Sequence, residues 1–283
     1  MSTSYDADEP ATPSGDGGLV RLRLDLRYDG TDFAGWARQP GQRTVQETVE
    51  AALARVLRLP DPPRLTVAGR TDAGVHAIGQ VAHVDLVDAP EVTGLARRLA
   101  GVLPADVAVT GVSLPAAGFD ARFAATGRHY RYRMTDGRPN PLRRRDTVFW
   151  HRVLDVATMR EAALGLVGEH DFAAFCRRRE GATTVRHLRS LTVARDDDDV
   201  IVIGAHADAF CHNQVRSMVG ALIAVGEARR PVAWPAEVLA AKVRDSAVTV
   251  APAHGLTLVA VDYPPDDELG AQAERTRRRR DEQ

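Results

Sequence analysis

The sequence predicts an α+β fold made of two related halves, with helices on one face of a mixed, largely antiparallel sheet. Two observations support this prediction. Apolar residues alternate with polar ones in segments typical of half-buried strands, and they recur every three to four residues in segments typical of helices that lie on a sheet. The order of these segments then roughly repeats after Pro115. We therefore expect two β-α-β-β-α-β halves, an order also called ferredoxin-like, that meet at a central active-site cleft.

The first half contains four predicted strands and two predicted helices. They are strand 20–29, helix 45–58, strand 65–68, strand 79–87, helix 92–101 and strand 106–113. Helix 45–58 has the clearest start, because Thr44 is a good N-cap and Glu47 three residues later completes a capping box. Its apolar residues fall on one face, as expected for a helix that packs on a sheet.

The second half repeats this order with one additional helix. Its predicted elements are strands 128–135 and 147–151, helix 155–167, strands 187–195 and 200–206, helices 211–228 and 235–244, and strand 256–262. Helix 211–228 is apolar nearly all round, so we expect it to be deeply buried. Arg216 is the exception, and a charged side chain on such a helix should be paired with a carboxylate. The alternative is a surface guanidinium at a frayed helix end.

These elements define two subdomains between two tails. Residues 1–18 are rich in Ser, Asp, Gly and Pro without hydrophobic periodicity, and residues 264–283 are polar with a run of arginines. We expect both tails to be disordered. The N-terminal α+β subdomain, which carries the loop discussed below, spans 19–115, and the C-terminal α+β subdomain spans 116–263.

The composition indicates a protein of the cytoplasm. No segment approaches the eighteen or so uninterrupted apolar residues of a membrane span, and the N-terminus is acidic and polar rather than basic and then apolar. Cys176 and Cys211 lie far apart, with no Cys-x-x-Cys pair that would suggest zinc or redox chemistry. We therefore expect both cysteines to be reduced and to lie in or near the core.

The net charge conceals a mildly basic folded part. The whole chain carries −1, of which the first 18 residues contribute −4 and the last 20 contribute −1, so residues 19–263 carry +4. Nearly all of the positive charge is arginine, Lys242 being the only lysine. Arginine forms bidentate contacts with phosphate, so a nucleic-acid partner is compatible with this composition.

One carboxylate stands on a glycine-bounded turn between two predicted strands. Residues 69–77 read Gly-Arg-Thr-Asp-Ala-Gly-Val-His-Ala. Asp72 should therefore lie on an exposed loop carried by rigid strands, where functional residues concentrate. The alternative is that Asp72 only closes an Asx-turn before Gly74. For His76 on the same loop, we expect local hydrogen bonding and no chemical role.

Five groups of residues, in order along the chain, resemble the motifs of one enzyme family. They are Tyr28–Trp36 with Gln39-Pro40 and Thr44–Glu47; Gly69–Ala77; Phe119–Phe123 with Arg128–Tyr132; Phe210–Arg216; and Gly255–Leu258 with Asp262–Pro264. Together they resemble the bacterial tRNA pseudouridine synthases of the TruA family over nearly all of residues 20–263. The sequence departs from that family's usual pattern at Ala37, Cys211 and Gln214, which bears on local RNA contacts and packing.

The resemblance implies roles for five residues. Asp72 is the catalytic nucleophile, Tyr130 packs against the target base, and Arg216 pairs with Asp72. Arg70 and Leu258 also belong to the implied substrate-binding set. A tyrosine that faces the core would give the same strand pattern as Tyr130, and a structural salt bridge is the alternative role for Arg70.

The resemblance also implies a reaction and a partner. The reaction is isomerisation of uridine to pseudouridine in the anticodon stem-loop of tRNA, at positions 38, 39 and 40, by a homodimer without a cofactor. One ionised carboxylate can serve as nucleophile at C1′ or C6 or as base at C2′. A positive charge at Arg216 would favour that ionised form. A uridine inside a stem must be extruded to reach the carboxylate, and an aromatic ring offers it a stacking surface.

Two other functions stay open at this stage. The first is a non-catalytic RNA-binding or RNA-folding module that uses the same cleft, against which the intact set of Asp72, Tyr130 and Arg216 argues. The second is a nucleoside hydrolase, which would need a positioned water and usually a metal or a second carboxylate.

Two further groups of side chains are candidates for binding. His206, Asp208 and His212 have a spacing compatible with metal ligands, but no fourth ligand stands out, so we expect no metal. The arginines at 143–145 and 177–179, with Arg186 and Arg189, are expected to contribute some RNA phosphate contacts.

Overall fold

A computed structural model describes residues 18–177 and 183–281 of the chain. The predicted N-terminal tail, apart from Gly18, and the arginines at 178 and 179 lie outside the described residues. The described part contains ten strands and six α-helices. The strands are β1 (Val20–Tyr28), β2 (Leu65–Val67), β3 (His76–Leu86), β4 (Val107–Ser113), β5 (Gly127–Thr135), β6 (Val148–Phe149), β7 (Gly168–Asp171), β8 (Val185–Arg195), β9 (Ile201–Ala207) and β10 (Leu256–Asp262). The helices are α1 (Val45–Leu57), α2 (Leu95–Ala100), α3 (Val156–Leu164), α4 (Gln214–Gly226), α5 (Trp234–Ala241) and α6 (Leu269–Asp281).

All ten strands form one sheet, whose order confirms the two related halves. The main path runs β4-β1-β3-β10-β5-β9-β8-β7, with β2 also paired to β3 and β6 to β5. The first half thus has the order β4-β1-β3-β2 and the second half the order β10-β5-β9-β8. With β6 and β7 left aside, the four strands of each half, numbered along the chain, lie in the order fourth, first, third, second. The two halves join where β10 runs parallel to the start of β3, pairing Thr257 with His76 and Leu258 with Ala77.

Helices α1 to α4 cover one face of the sheet, as predicted. In the first half, Leu22, Leu24 and Leu26 of β1 pack against the buried face of α1. Thr44 caps α1, since its side chain accepts a hydrogen bond from the Glu47 N–H. In the second half, every residue of α4 except Arg216 is buried. The near-uniform apolar pattern therefore predicted the position of α4 correctly.

The opposite face carries α6, which differs from the disorder predicted after residue 264. Leu269 and Ala273 of α6 pack against Val81 and Phe119. Alternate residues of a strand point to opposite faces, so Val81 faces away from its neighbour Ala82, which packs with α1. The Arg277 guanidinium also lies 2.8 Å from the Asp120 carboxylate. A few apolar residues and one ion pair hold this arginine-rich helix, and so small a set does not stand out in the sequence.

Two other features differ from the sequence predictions. Strand β7 was not predicted. Cys176 and Cys211, expected to be reduced, form a disulfide with their Cα atoms 5.7 Å apart. Their separation of 35 residues gave no sign of this pairing. None of the helices in the described ranges is long and apolar enough to cross a membrane.

His83 provides a test of the packing on the sheet face that carries α6. This residue of β3 is 4% exposed, and its Nδ1 accepts a hydrogen bond from the Ala121 N–H at 3.0 Å. Burial, helped by the nearby Arg21 charge, lowers the pKa of His83 from 6.5 to about 4. Since the unfolded chain then binds the proton more readily, the stability contributed by neutral His83 is complete above pH 6.5 and is lost as the pH falls towards 4.

We expect His83→Gln to flatten the loss of stability on acidification. Between pH 6.5 and 4, the wild type should lose up to about 3 kcal/mol more unfolding free energy than the variant. Denaturant titrations at several pH values measure the difference. The exposed His187→Gln is the matched control and should follow the wild type. Parallel curves for wild type and His83→Gln would contradict the assignment.

Candidate active site

Asp72 lies on the exposed connection between β2 and β3, as the sequence predicted. The Val75 N–H donates to the Asp72 carbonyl at 3.1 Å, which closes a tight turn. Gly74 adopts a φ of +76°, a left-handed conformation that favours glycine. The Asp72 side chain is 32% exposed, so its carboxylate is accessible to solvent.

The turn at residues 29–36 holds this loop by its backbone. The Trp36 N–H donates to the Thr71 carbonyl at 3.0 Å, and the Gly74 N–H donates to the Phe33 carbonyl at 3.3 Å. The two chains run so close together that a Cβ added to Gly30 would lie 2.0 Å from the Val75 carbonyl oxygen. The motif Tyr28–Trp36 therefore fixes the position of the loop that carries Asp72.

His76 ties three segments together at the end of the loop. Its Nδ1 accepts a hydrogen bond from the Gly30 N–H at 2.9 Å. Nδ1 also lies 3.2 Å from Asp29 Oδ1. Nε2 lies 2.7 Å from the Arg145 carbonyl and 3.0 Å from the His254 carbonyl. His76 is therefore a hydrogen-bonding residue as expected, but these partners are distant in the sequence rather than local.

Three buried polar residues support the other end of the loop, and the sequence did not predict this network. The Tyr28 hydroxyl lies 2.8 Å from Thr71 Oγ1, and the Gln80 amide donates to both the Tyr28 hydroxyl and the Gly69 carbonyl. Burial raises the pKa of Tyr28 to about 12, so this hydroxyl stays protonated. The sequence signal for this network was Gln80, a polar residue among apolar neighbours in a predicted strand.

Asp72 is paired with His212, a residue for which the sequence suggested a different role. His212 Nε2 lies 3.3 Å from Asp72 Oδ1. His212 belongs to the turn that precedes α4, next to the disulfide-bonded Cys211. The Arg177 N–H donates to the His212 carbonyl at 3.0 Å, which fixes the backbone of this turn.

Arg216 does not form the expected ion pair with Asp72 within the described part of the chain. Its Nε donates to the Ala251 carbonyl at 2.7 Å, and its own carbonyl accepts from the Ala251 N–H at 3.0 Å. Nη1 lies 3.5 Å from Asn213 Oδ1. The described residues thus lack the predicted pairing with Asp72: Arg216 contacts the Ala251 carbonyl and Asn213, and Asp72 contacts His212. Arg216 joins α4 to the segment before β10.

Tyr130 lies between the hydrophobic cores of the two halves and close to Asp72. Its ring meets the Phe210 ring edge-on, with centroids 5.3 Å apart. Burial, together with the nearby Tyr28 and Asp72, raises the pKa of Tyr130. Leu258 is its partner on β10 and is 0% exposed, so it supports the ring from within the core. Direct contact of Leu258 with substrate stays a prediction, as does that of the exposed Arg70.

The three residues weighed as metal ligands do not converge. Asp208 Oδ1 accepts from the His187 and Ala209 N–H groups at 3.0 and 2.7 Å. His212 contacts Asp72 on the loop, and His206 lies in β9 on the opposite side of the sheet from Tyr130, since its neighbour Ala205 is the one that packs in the core.

A basic depression adjoins the Asp72 loop. It has a volume of about 550 Å³ and is lined by Thr31, Gly74, Arg144, Arg145, Ala253 and His254. Arg145 is paired with Asp29 at 3.0 Å, while Arg144 is exposed. Arg144 therefore places positive charge in a depression that also contains Gly74, two residues beyond Asp72.

We expect Gly30→Ala to impair the site by displacing the loop. The new methyl group would overlap the Val75 carbonyl, so either the 29–36 turn or the Asp72 loop must move, at a cost of about 1–3 kcal/mol or more. Thermal unfolding and the catalytic assay described below measure the two effects. Gly137→Ala is the matched control, because its methyl would lie no nearer than 3.4 Å to any neighbour. Equal behaviour of the two variants would contradict the close-approach argument.

Comparison with known proteins identifies the family. The family model described as tRNA pseudouridine synthase matches residues 162–264. A tRNA pseudouridine synthase A of Frankia casuarinae is 67% identical over 262 residues, which cover 92% of this chain and 95% of that protein. Its counterpart in Streptomyces griseus is 55% identical over 92% of this chain and 94% of the relative, and that of Mycobacterium leprae is 50% identical over 91% and 94%. With its motifs, its two related halves and these relatives, the chain belongs to the tRNA pseudouridine synthase A family.

Proposed function

We propose that this protein isomerises uridine to pseudouridine in the anticodon stem-loop of tRNA, at positions 38, 39 and 40, with Asp72 as the nucleophile. Family membership supports a tRNA-modifying isomerase. The observation that carries the assignment of Asp72 is its placement: a part-exposed carboxylate on a loop that is held by backbone hydrogen bonds, close to the Tyr130 ring.

The reaction asks little of the protein beyond this carboxylate. The bond from ribose C1′ to uracil N1 breaks, the ring turns while it stays trapped, and a new bond forms between C1′ and C5; C5 gives up its proton and N1 gains one. No redox change or external energy is needed. Asp72 adds to C1′ or C6, or takes a proton from C2′, and each of these steps requires the ionised form. His212 lies against Oδ1, so we assign Oδ2 to the substrate.

Tyr130 gives the extruded base a surface on which to stack. A uridine in a stem must leave the helix to reach Asp72, at a cost that ring stacking offsets by about 1–3 kcal/mol per base. Phe210 holds the edge of the Tyr130 ring, and Leu258 lies in the core beside it. Because burial raises its pKa, the Tyr130 hydroxyl is protonated at neutral pH and acts as a hydrogen-bond donor before it can accept any proton.

The basic depression beside the loop is where we place the RNA backbone. Arg144 and Arg145 line it next to Gly74, two residues beyond Asp72. Phosphate contacts there would position the stem without reading its sequence. The family resemblance further supports a homodimer whose subunits hold one tRNA, a location in the cytoplasm and a reaction without a cofactor.

A non-catalytic RNA-binding module is the second candidate. It would keep the arginines and the Tyr130 ring but would not need an accessible carboxylate. Asp72 is exposed on a loop that is held at Thr71, Gly74 and His76, and this favours the enzyme. A fixed negative charge on a surface that only binds RNA would repel the phosphates.

We expect Asp72→Asn to abolish turnover while tRNA binding is retained. Loss of the nucleophile should lower the rate by at least about a thousandfold, whereas the isosteric amide keeps the shape of the site. Unmodified tRNA transcript is incubated with each protein, and pseudouridine is mapped by chemical labelling. The exposed Asp61→Asn is the matched control.

Each outcome of this assay distinguishes one candidate. A wild type that forms no pseudouridine but binds tRNA favours the binding module, and release of free uracil favours the hydrolase. A fully active Asp72→Asn would remove Asp72 from its role while leaving the family assignment in place.

We expect Arg144→Gln to weaken tRNA binding through the loss of one phosphate contact. The slope of log affinity against log salt concentration should become shallower by about 1. Binding measured at several salt concentrations gives this slope. Arg55→Gln, on the exposed side of α1, is the control and should leave both affinity and slope unchanged. Identical slopes for wild type and Arg144→Gln would exclude the depression as the path of the RNA.

A further inference from the structure

Three side chains from neighbouring strands converge on the sheet face opposite Tyr130. His129 of β5 and His206 of β9 are direct cross-strand partners, and Asp262 at the end of β10 is paired with Gly127. His129 Nε2 lies 2.7 Å from Asp262 Oδ2, and His206 Nε2 lies 3.2 Å from the same oxygen. Within the described ranges, this is the group of three whose potential ligand atoms all lie within 4.8 Å of one another.

The backbone and the rings are arranged so that this convergence is possible. A Cβ on Gly127 would lie 2.5 Å from Asp262 Oδ2 and 2.7 Å from His206 Nε2, so only glycine leaves room for the two groups to meet. The imidazole rings of His129 and His206 are stacked, with centroids 3.8 Å apart and planes inclined by 18°. In this stacked arrangement both Nε2 atoms lie within 3.2 Å of the same carboxylate oxygen, Asp262 Oδ2.

We propose that His129, His206 and Asp262 form a binding site for a divalent transition-metal ion of the zinc type. Ligand atoms about 2.0–2.1 Å from a tetrahedral zinc ion are about 3.3 Å apart, close to the 3.2 Å between His206 Nε2 and Asp262 Oδ2. Two imidazoles and one carboxylate are a ligand set that zinc accepts, with water in the fourth position. Metal binding would require the 2.7 Å contact of His129 to widen and the two stacked rings to tilt, so that both lone pairs reach one ion.

Arg189 shows that this position already attracts a cation. Its Nη1 lies 3.1 Å from His206 Nε2, and its Nη2 donates to the Thr126 carbonyl at 2.9 Å. A guanidinium can only donate, so His206 Nε2 is the acceptor in the contact with Arg189. The Asp262 carboxylate lies 3.2 Å from the same nitrogen, so a positive charge at this position is favoured. A metal ion would take over this role as the exposed Arg189 side chain swings away.

A metal ion at this site would stabilise the sheet and take no part in the isomerisation. His129 and Tyr130 are consecutive in β5 and point to opposite faces, so a bound ion would link β9, β5 and β10 directly behind the Tyr130 ring. Such a link should stabilise the strands that join the two halves. The inference does not depend on the proposed RNA chemistry.

Metal titration of the full chain, after removal of any affinity tag and of bound metal with a chelator, tests the proposal. We expect Zn²⁺ to bind saturably with one tight site per chain and to raise the midpoint of thermal unfolding. His206→Gln and His129→Gln should each weaken binding by at least about tenfold. Arg189→Gln should strengthen it, because the competing cation is removed. His187→Gln, an exposed histidine of β8 outside the cluster, should bind like the wild type.

Co²⁺ supplies a readout that is independent of stability and of activity. The Co²⁺-loaded wild type should show the strong visible absorption of a four-coordinate ion, and His206→Gln should lose it. The proposal is overturned if Zn²⁺ does not bind saturably, or if His206→Gln and His129→Gln bind it as tightly as the wild type. Weaker Zn²⁺ binding by Arg189→Gln would also contradict the proposal, because it predicts that the Arg189 guanidinium competes with the metal ion.

Discussion

The parallel contact between β3 and β10 is the constraint on which the site depends. Only two residue pairs form it, yet it joins the two half-sheets edge to edge. His76 and Ala77 on one side follow the Asp72 loop directly, and Leu258 on the other side pairs with Tyr130. The contact therefore sets the distance between the carboxylate supplied by the first half and the aromatic ring supplied by the second.

The Asp72 loop is held mainly by contacts to its backbone. The 29–36 turn binds the loop through main-chain hydrogen bonds, and His76 bridges this turn to the Arg145 and His254 carbonyls. A loop held in this way can expose its one acidic side chain without becoming mobile, because its position does not depend on that side chain. The glycine at position 30 follows from the same requirement, since a methyl group there would occupy the place of the Val75 carbonyl.

The regular elements could be predicted from the sequence because their signals are local. The cap at Thr44, the alternation in β3 and the apolar run in α4 each depend on neighbouring residues, and the structure places these elements within a few positions of their predicted bounds. Helix α6 could not be predicted, because its stability comes from distant contacts of Leu269, Ala273 and Arg277. The disulfide between Cys176 and Cys211 likewise depends on how two distant segments meet.

The partner of Asp72 shows the same limit within the site. The sequence indicated that the one arginine of a buried helix should pair with a carboxylate, but the acceptor of Arg216 is the Ala251 carbonyl. Charge patterns do not reveal when a main-chain oxygen will satisfy a guanidinium. His212 then contacts the carboxylate because the turn before α4 is fixed twice, by the Cys211 disulfide and by the hydrogen bond from Arg177. Asp72 thus contacts an imidazole of the turn before α4 and not the Arg216 guanidinium, so the surroundings of the carboxylate depend on how closely that turn is held against the loop.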